Sequence, residues 1–135
     1  MEFLDFLYSG DLYGEIAVGA RNLTQSAAWY CANLDLVEGA SSTQEVTLGY
    51  RGGKGRSVIP LVTLVQVSGG RTNVAVEGHP ILFCRNLAKA RQKLVSNGIT
   101  ASHIQHDSGG NHFFEFKDLD GNRVEVCLEP GKKLE

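Results

Sequence analysis

The chain has 135 residues, enough for one domain with a real core and too few for two independent ones. Its hydrophobic content of 42%, charged content of 21% and formal net charge of −2 are those of an ordinary globular protein. With Lys and Arg scattered, this balance argues against nucleic acid or an anionic membrane as partner and leaves a small molecule or another protein. No apolar run reaches the length of a membrane span.

Residues 1–13 place Phe3, Leu4, Phe6, Leu7 and Tyr8 at helical spacings and read as a short lead-in helix. Glu2, Asp5 and Asp11 stand where a signal peptide carries positive charge, so a cytoplasmic protein is expected. The three cysteines, Cys31, Cys84 and Cys127, are odd in number and lie in apolar segments, which predicts buried free thiols in a reducing compartment.

Residues 16–20 read as a strand with Ile16, Val18 and Ala20 on one face and the small Ala17 and Gly19, after Glu15, on the other. Asn22 or Thr24 is placed to cap the helix that follows, which carries Leu23, Ala27, Tyr30, Cys31 and Leu34 at helical spacing and ends near Asn33. Residues 36–41, 45–50 and 58–67 read as three strands, with a glycine-rich turn near 51–55. Pro60 assigns the third to a sheet edge or to the strand's first residues.

After a linker at 69–78 the order recurs: a strand at 79–84, a helix from Leu87 to Ser96 stopped by Asn97-Gly98, then strands at 99–105, 111–117 and 123–128. Asp120-Gly121 between two apolar runs predicts a hairpin. The segment opening each half, Glu15 to Leu23 and His79 to Leu87, aligns without a gap at an offset of 64 and closes on an identical Arg-Asn-Leu. The chain is therefore read as a duplicated βαβββ unit, residues 14–68 and 79–129, with a tail at 130–135. In the last strand Val124, Val126 and Leu128 share one face and Glu125 and Cys127 the other, so Glu125 points away from the helices.

The Arg21-Asn22-Leu23 turn leading to Ser26 and Trp29-Tyr30 carries the first part of a family likeness. His79 at the head of its strand and the closing run Phe116-Lys117-Asp118-Leu119-Asp120-Gly121-Asn122-Arg123-Val124-Glu125 carry the second. Together they resemble the glyoxalase, bleomycin-resistance and extradiol dioxygenase superfamily, the vicinal oxygen chelate proteins, over most of residues 14–129. The resemblance implies an α+β fold of two βαβββ repeats whose curved mixed sheets surround a cup-shaped cavity. It also implies a homodimer with sites near the subunit interface.

Family metal positions lie on the first and last strands of each half, which here carry Glu15, His79 and Glu125. The offset puts the fourth position at Leu61, and a shift of register would move it to Thr63. The resemblance thus implies a divalent ion held by Glu15, His79 and Glu125. Glu15, where relatives carry His or Gln, favours a harder cation such as Mn²⁺, Mg²⁺ or Fe²⁺, with Zn²⁺ or Ni²⁺ still compatible. The activity implied is a lyase, isomerase or dioxygenase reaction on a small oxygenated substrate chelated through adjacent oxygens, with Glu125 or Glu15 as the base. The competing reading is a metal-free small-molecule or drug-binding protein of the bleomycin-resistance type. In that case the two carboxylates are solvated rim groups and His79 bonds to backbone.

Of the remaining histidines, His103 and His106 read as surface residues, because a three-residue separation puts them on opposite strand faces. His112 reads as a packing residue that could also reach the pocket, and Trp29, Tyr50, Arg51 and Arg56 as candidate substrate contacts. Gly52-Gly53 and Gly109-Gly110 lack the strand–helix context of a phosphate loop.

Overall fold

The computed structural model describes residues 16–51, 58–67 and 79–129. The lead-in helix, Glu15, the glycine-rich turn with Arg56, the linker and the tail lie outside the described residues.

The first half runs β1 (Ile16–Ala20), α1 (Leu23–Leu34), β2 (Val37–Ser41), β3 (Glu45–Arg51) and β4 (Val58–Gln66). The second runs β5 (Ile81–Cys84), α2 (Leu87–Ser96), β6 (Gln105–His106), β7 (His112–Lys117) and β8 (Arg123–Leu128). Each half builds one open four-stranded mixed sheet, ordered β1-β4-β3-β2 and β5-β8-β7-β6. The first and last strands of each half pair in parallel and the rest are antiparallel. The same strand permutation occurring twice is the duplication in three dimensions, and the fold class is α+β as expected.

The repeated Arg-Asn-Leu has a local cause. Asn22 Oδ1 accepts the Gln25 amide at 3.0 Å and Asn86 Oδ1 accepts the Lys89 amide at 3.0 Å, so each Asn is the N-cap of its helix. Of the two cap candidates Asn22 holds the role, and Thr24 lies inside the first turn. Asp35, at φ 60°, ends α1, and Gly98, at φ +89°, ends α2.

Pro60 sits near the start of β4, which is internal to its sheet. The pairing with β1 begins only at Val62, and the register with β3 slips between Leu48 and Gly49, so the missing proline N–H falls where the ladder is interrupted.

The 99–105 strand is corrected. Only Gln105–His106 and an isolated bridge from Ala101 to Phe116 form. Arg91 on α2 donates through Nε to the Ser102 carbonyl at 2.6 Å and through Nη2 to the Ala101 carbonyl at 3.2 Å. Those carbonyls bond a side chain, and the segment crosses the edge of β7 as an irregular strap.

One apolar cluster spans both halves, from Val18, Leu48 and Leu64 to Leu82, Phe114 and Val126. The 118–122 turn, with Gly121 at φ +88°, reaches from the second half into the first. Asp118 Oδ2 accepts the Tyr30 hydroxyl at 2.5 Å, and Asp120 Oδ2 accepts the Ser26 hydroxyl at 2.5 Å. Asp120 Oδ1 accepts the Arg21 amide at 3.1 Å, and Asn122 Nδ2 donates to the Gly19 carbonyl at 2.8 Å. Asn97 Nδ2 donates to Asn33 Oδ1 at 3.2 Å. Asn33 and Asn97 are equivalent at the 64-residue offset, and such residues can touch only near the axis relating the halves. No described helix is long and apolar enough to cross a membrane.

Candidate functional site

Strand parity sorts the second sheet as expected. Val124, Val126 and Leu128 are buried in the common core, while Glu125 and Cys127 lie on the opposite face. The Glu125 amide donates to the Pro80 carbonyl at 3.0 Å, continuing the β5–β8 ladder and setting the residue before Pro80 level with the Glu125 side chain. His79 Nε2 and Glu125 Oε1 are 2.7 Å apart, with side-chain exposures of 21% and 15%. Two of the three predicted ligands are thus brought together, within reach of solvent. Glu15 lies outside the described residues.

Register decides the fourth place. Ile81 pairs with Glu125, and its repeat equivalent Ala17 pairs with Thr63. Of the two places the sequence left open, Leu61 and Thr63, the register sets Thr63 equivalent to Glu125. Forty-six residues separate Ala17 from Thr63 and forty-four separate Ile81 from Glu125, so a constant offset fails by two at the last strand. Leu61 is 1% exposed and belongs to the core cluster. Thr63 Oγ1 lies 3.4 Å from Thr47 Oγ1, a neutral hydroxyl pair where the other half carries a carboxylate.

Two features escaped the sequence reading. The Cys127 thiol donates to Glu125 Oε2 at 3.0 Å, so both carboxylate oxygens have a partner. Burial, reinforced by the Glu125 hydrogen bond and charge, pushes that thiol far above its ordinary value and keeps it a donor. Glu115 stands directly across from Glu125 in the β7–β8 ladder and is bound by Arg123 through both Nε, at 2.9 Å, and Nη2. Adjacent carboxylates on one face repel. Each has its own neutralising or donating partner, Arg123 for Glu115 and His79 for Glu125. Glu115 and Glu125 stand five residues to either side of Asp120, and that symmetry about the turn was the available signal.

The remaining candidates separate. His103 and His106 are exposed. His112 shares parity with Phe114 and Phe116, away from Glu125, and its ring lies 5.9 Å from that of His106. Tyr50 is half-buried against the core, and Trp29 lies 6.2 Å from Phe116 between ring centroids. Among the described residues no cysteine forms a disulfide; Cys84 and Cys127 are buried and Cys31 partly so.

The chemistry of the donor set bears on a metal. Among the described residues no group of three His, Cys, Asp or Glu side chains is arranged to hold an ion. The His79–Glu125 pair alone fits one edge of a coordination shell: ligands about 2.1 Å from a cation stand roughly 3 Å apart at right angles. A groove of about 900 Å³ between Trp29, residues 98–102 and the 118–122 turn includes neither His79 nor Glu125. The pair's mutual geometry, not the groove, marks the candidate centre.

No protein-family model matches the chain, and no curated protein sequence matches it. Solved structures do. A lactoylglutathione lyase from Agrobacterium tumefaciens superposes with a TM-score of 0.64 at 19% identity, over 88% of this chain and 94% of that one. The bleomycin resistance determinant encoded on transposon Tn5 gives 0.66 at 15% identity, over 87% and 97%. An integron cassette protein from the mobile metagenome of V. cholerae gives 0.60 at 16%, over 91% and 98%. The fold is that of the glyoxalase and bleomycin-resistance proteins, as the sequence resemblance implied.

Proposed function

We propose that this chain is a divalent-metal-dependent enzyme of the glyoxalase type, a lyase, isomerase or dioxygenase acting on a small oxygenated molecule. The observation that carries the reading is the 2.7 Å approach of His79 Nε2 to Glu125 Oε1 on the sheet face away from the helices. Two donor atoms held this close at strand positions used by the fold's metalloenzymes suit neighbouring ligand places, and Glu15 is the third ligand by repeat equivalence. Thr63 leaves the fourth place without a charged donor, open to substrate or water.

When bound, the cation supplies Lewis-acid stabilisation of negative charge on substrate oxygens. The protein's own share is positional. The β5–β8 ladder fixes the spacing of His79 and Glu125, and the Cys127 thiol holds Oε2 of Glu125 so that Oε1 faces the imidazole. Glu125 or Glu15 takes the substrate proton. Glu115, neutralised by Arg123, faces the same side without adding net charge.

A metal-free binding protein is the second reading, and one observation favours it. His79, Glu125 and Cys127 satisfy one another, and among the described residues no buried side-chain nitrogen or oxygen lacks a hydrogen-bond partner. Elemental analysis of protein purified without chelators decides between them. The enzyme reading predicts one ion per chain, lost in His79→Ala and Glu125→Ala. Metal-free wild-type protein that still binds aromatic or cationic drugs would replace it with sequestration. We also place the protein as a homodimer, which sedimentation at micromolar concentration checks.

A further inference from the structure

We infer that the groove between the 98–102 strap and the end of β7 is a second small-molecule site, separate from the His79–Glu125 centre, for a flat apolar body bearing one anionic group. Its origin is the irregular strap. Arg91 holds the Ala101 and Ser102 carbonyls, the strap meets β7 only at Glu115 and Phe116, and past that crossing a space of about 900 Å³ stays open. That volume is in the range of sites for drug-sized ligands, roughly 300–1,000 Å³.

The walls define the body of the ligand. Trp29 from α1 is half-buried and offers aromatic surface, with Ile99 beside it, and Phe116 from β7, 3% exposed, backs the ring at 6.2 Å between centroids. Leu119 completes the rim at 49% exposure, one of two large apolar side chains so exposed among the described residues. Its exposure is enforced. Asp118 and Asp120 on either side are bound to Tyr30 and Ser26, so the turn cannot rotate Leu119 into the core. An apolar side chain rigidly presented to solvent at the mouth of an aromatic groove is a contact surface in waiting.

The charge follows by elimination. Glu115 is matched by Arg123, and the Asp118 carboxylate accepts from Tyr30, Asn122 and the Asp120 and Asn122 amides. Lys117 remains as the lining residue whose charge has no hydrogen-bonded or ionic partner among the described residues, and it is exposed at the groove. Asp118 is 7% exposed with its carboxylate turned to those neutral donors, so among the lining residues Lys117 presents the exposed unpaired charge, complementary to a planar monoanion.

Trp29 is the single tryptophan of the chain, so its emission reports the groove directly. The probe is 8-anilinonaphthalene-1-sulfonate, titrated against the full chain while Trp29 quenching and energy transfer are followed. The expected result is saturable binding of one probe per chain, at least tenfold weaker in Lys117→Glu and in Leu119→Asp. Lys89→Glu, an equal charge change at an exposed α2 position outside the groove, should leave it within twofold. The uncharged analogue N-phenyl-1-naphthylamine should bind at least tenfold more weakly. Absence of saturable quenching, equal affinity for the two probes, or a Lys117→Glu affinity within twofold of wild type overturns the inference. So does conversion of a dimer to a monomer by Leu119→Asp, which would make a second copy of the chain the groove's occupant.

Discussion

Replacing Asp120 by alanine tests whether the 118–122 turn holds the two halves together. Its carboxylate accepts the Ser26 hydroxyl at 2.5 Å, with Ser26 1% and Asp120 9% exposed, and the Arg21 amide at 3.1 Å. A buried hydrogen bond to a charged group contributes about 1.5–3 kcal/mol, and the Ser26 hydroxyl would be left without its acceptor. The Arg21 ion pair adds little, because that side chain is 57% exposed. Asp120→Ala should therefore cost about 3 kcal/mol, which for a chain of this size lowers the melting temperature by roughly 10 °C. Urea denaturation followed by Trp29 emission suits the measurement, since that ring lies 6.2 Å from Phe116 across the boundary between the halves. A double-mutant cycle with Ser26→Ala isolates the pair and should return a coupling of about 1.5–3 kcal/mol. A loss below about 1 kcal/mol with no coupling would refute the clamp and leave the shared apolar core as the sole link.

High pH gives a second test. Burial first, then Glu125, raises the Cys127 thiol above its ordinary 9.0; burial first, then Asp118, raises the Tyr30 hydroxyl above 10.0. For groups whose folded values are raised, the stabilisation is complete below the unfolded value and is lost as pH climbs toward the folded one. Stability should fall from about pH 9 for Cys127 and from about pH 10 for Tyr30, by up to about 1.4 kcal/mol per pH unit for each group. Cys127→Ser should flatten the decline between pH 9 and 10 in denaturation midpoints, and an unchanged slope would assign the loss elsewhere. The helix caps give the third: Asn22→Ala and Asn86→Ala should each cost about 1 kcal/mol by thermal denaturation, and equally, because the two hydrogen bonds match at 3.0 Å. A large inequality would show that one Arg-Asn-Leu turn is held by something besides its cap.

Much of the fold was legible because it rests on short-range chemistry. The cap asparagines, the parity of β8 and the positive φ of Gly121 are each decided within a few residues. What was hidden depends on partners far along the chain. Arg91 unmade a strand by bonding carbonyls ten and eleven residues ahead, and the acidic turn read as a hairpin without its partners Ser26 and Tyr30, about ninety residues away. The candidate site was half legible. The family resemblance named His79 and Glu125 together, but strand parity could not show that Cys127, on the same face, would turn its thiol to the same carboxylate.

The two extra residues between Ala17 and Thr63 bear on how the halves diverged. Side chains alternate along a strand, so an odd insertion inside β4 would turn Thr63 into the core and Leu64 out of it. An insertion absorbed by a connection or a bulge, such as the slip between Leu48 and Gly49, leaves every facing position of β4 where it was. Length can therefore drift between strands while their faces stay fixed. This lets Thr63 and Glu125 keep equivalent places although the two halves differ by two residues.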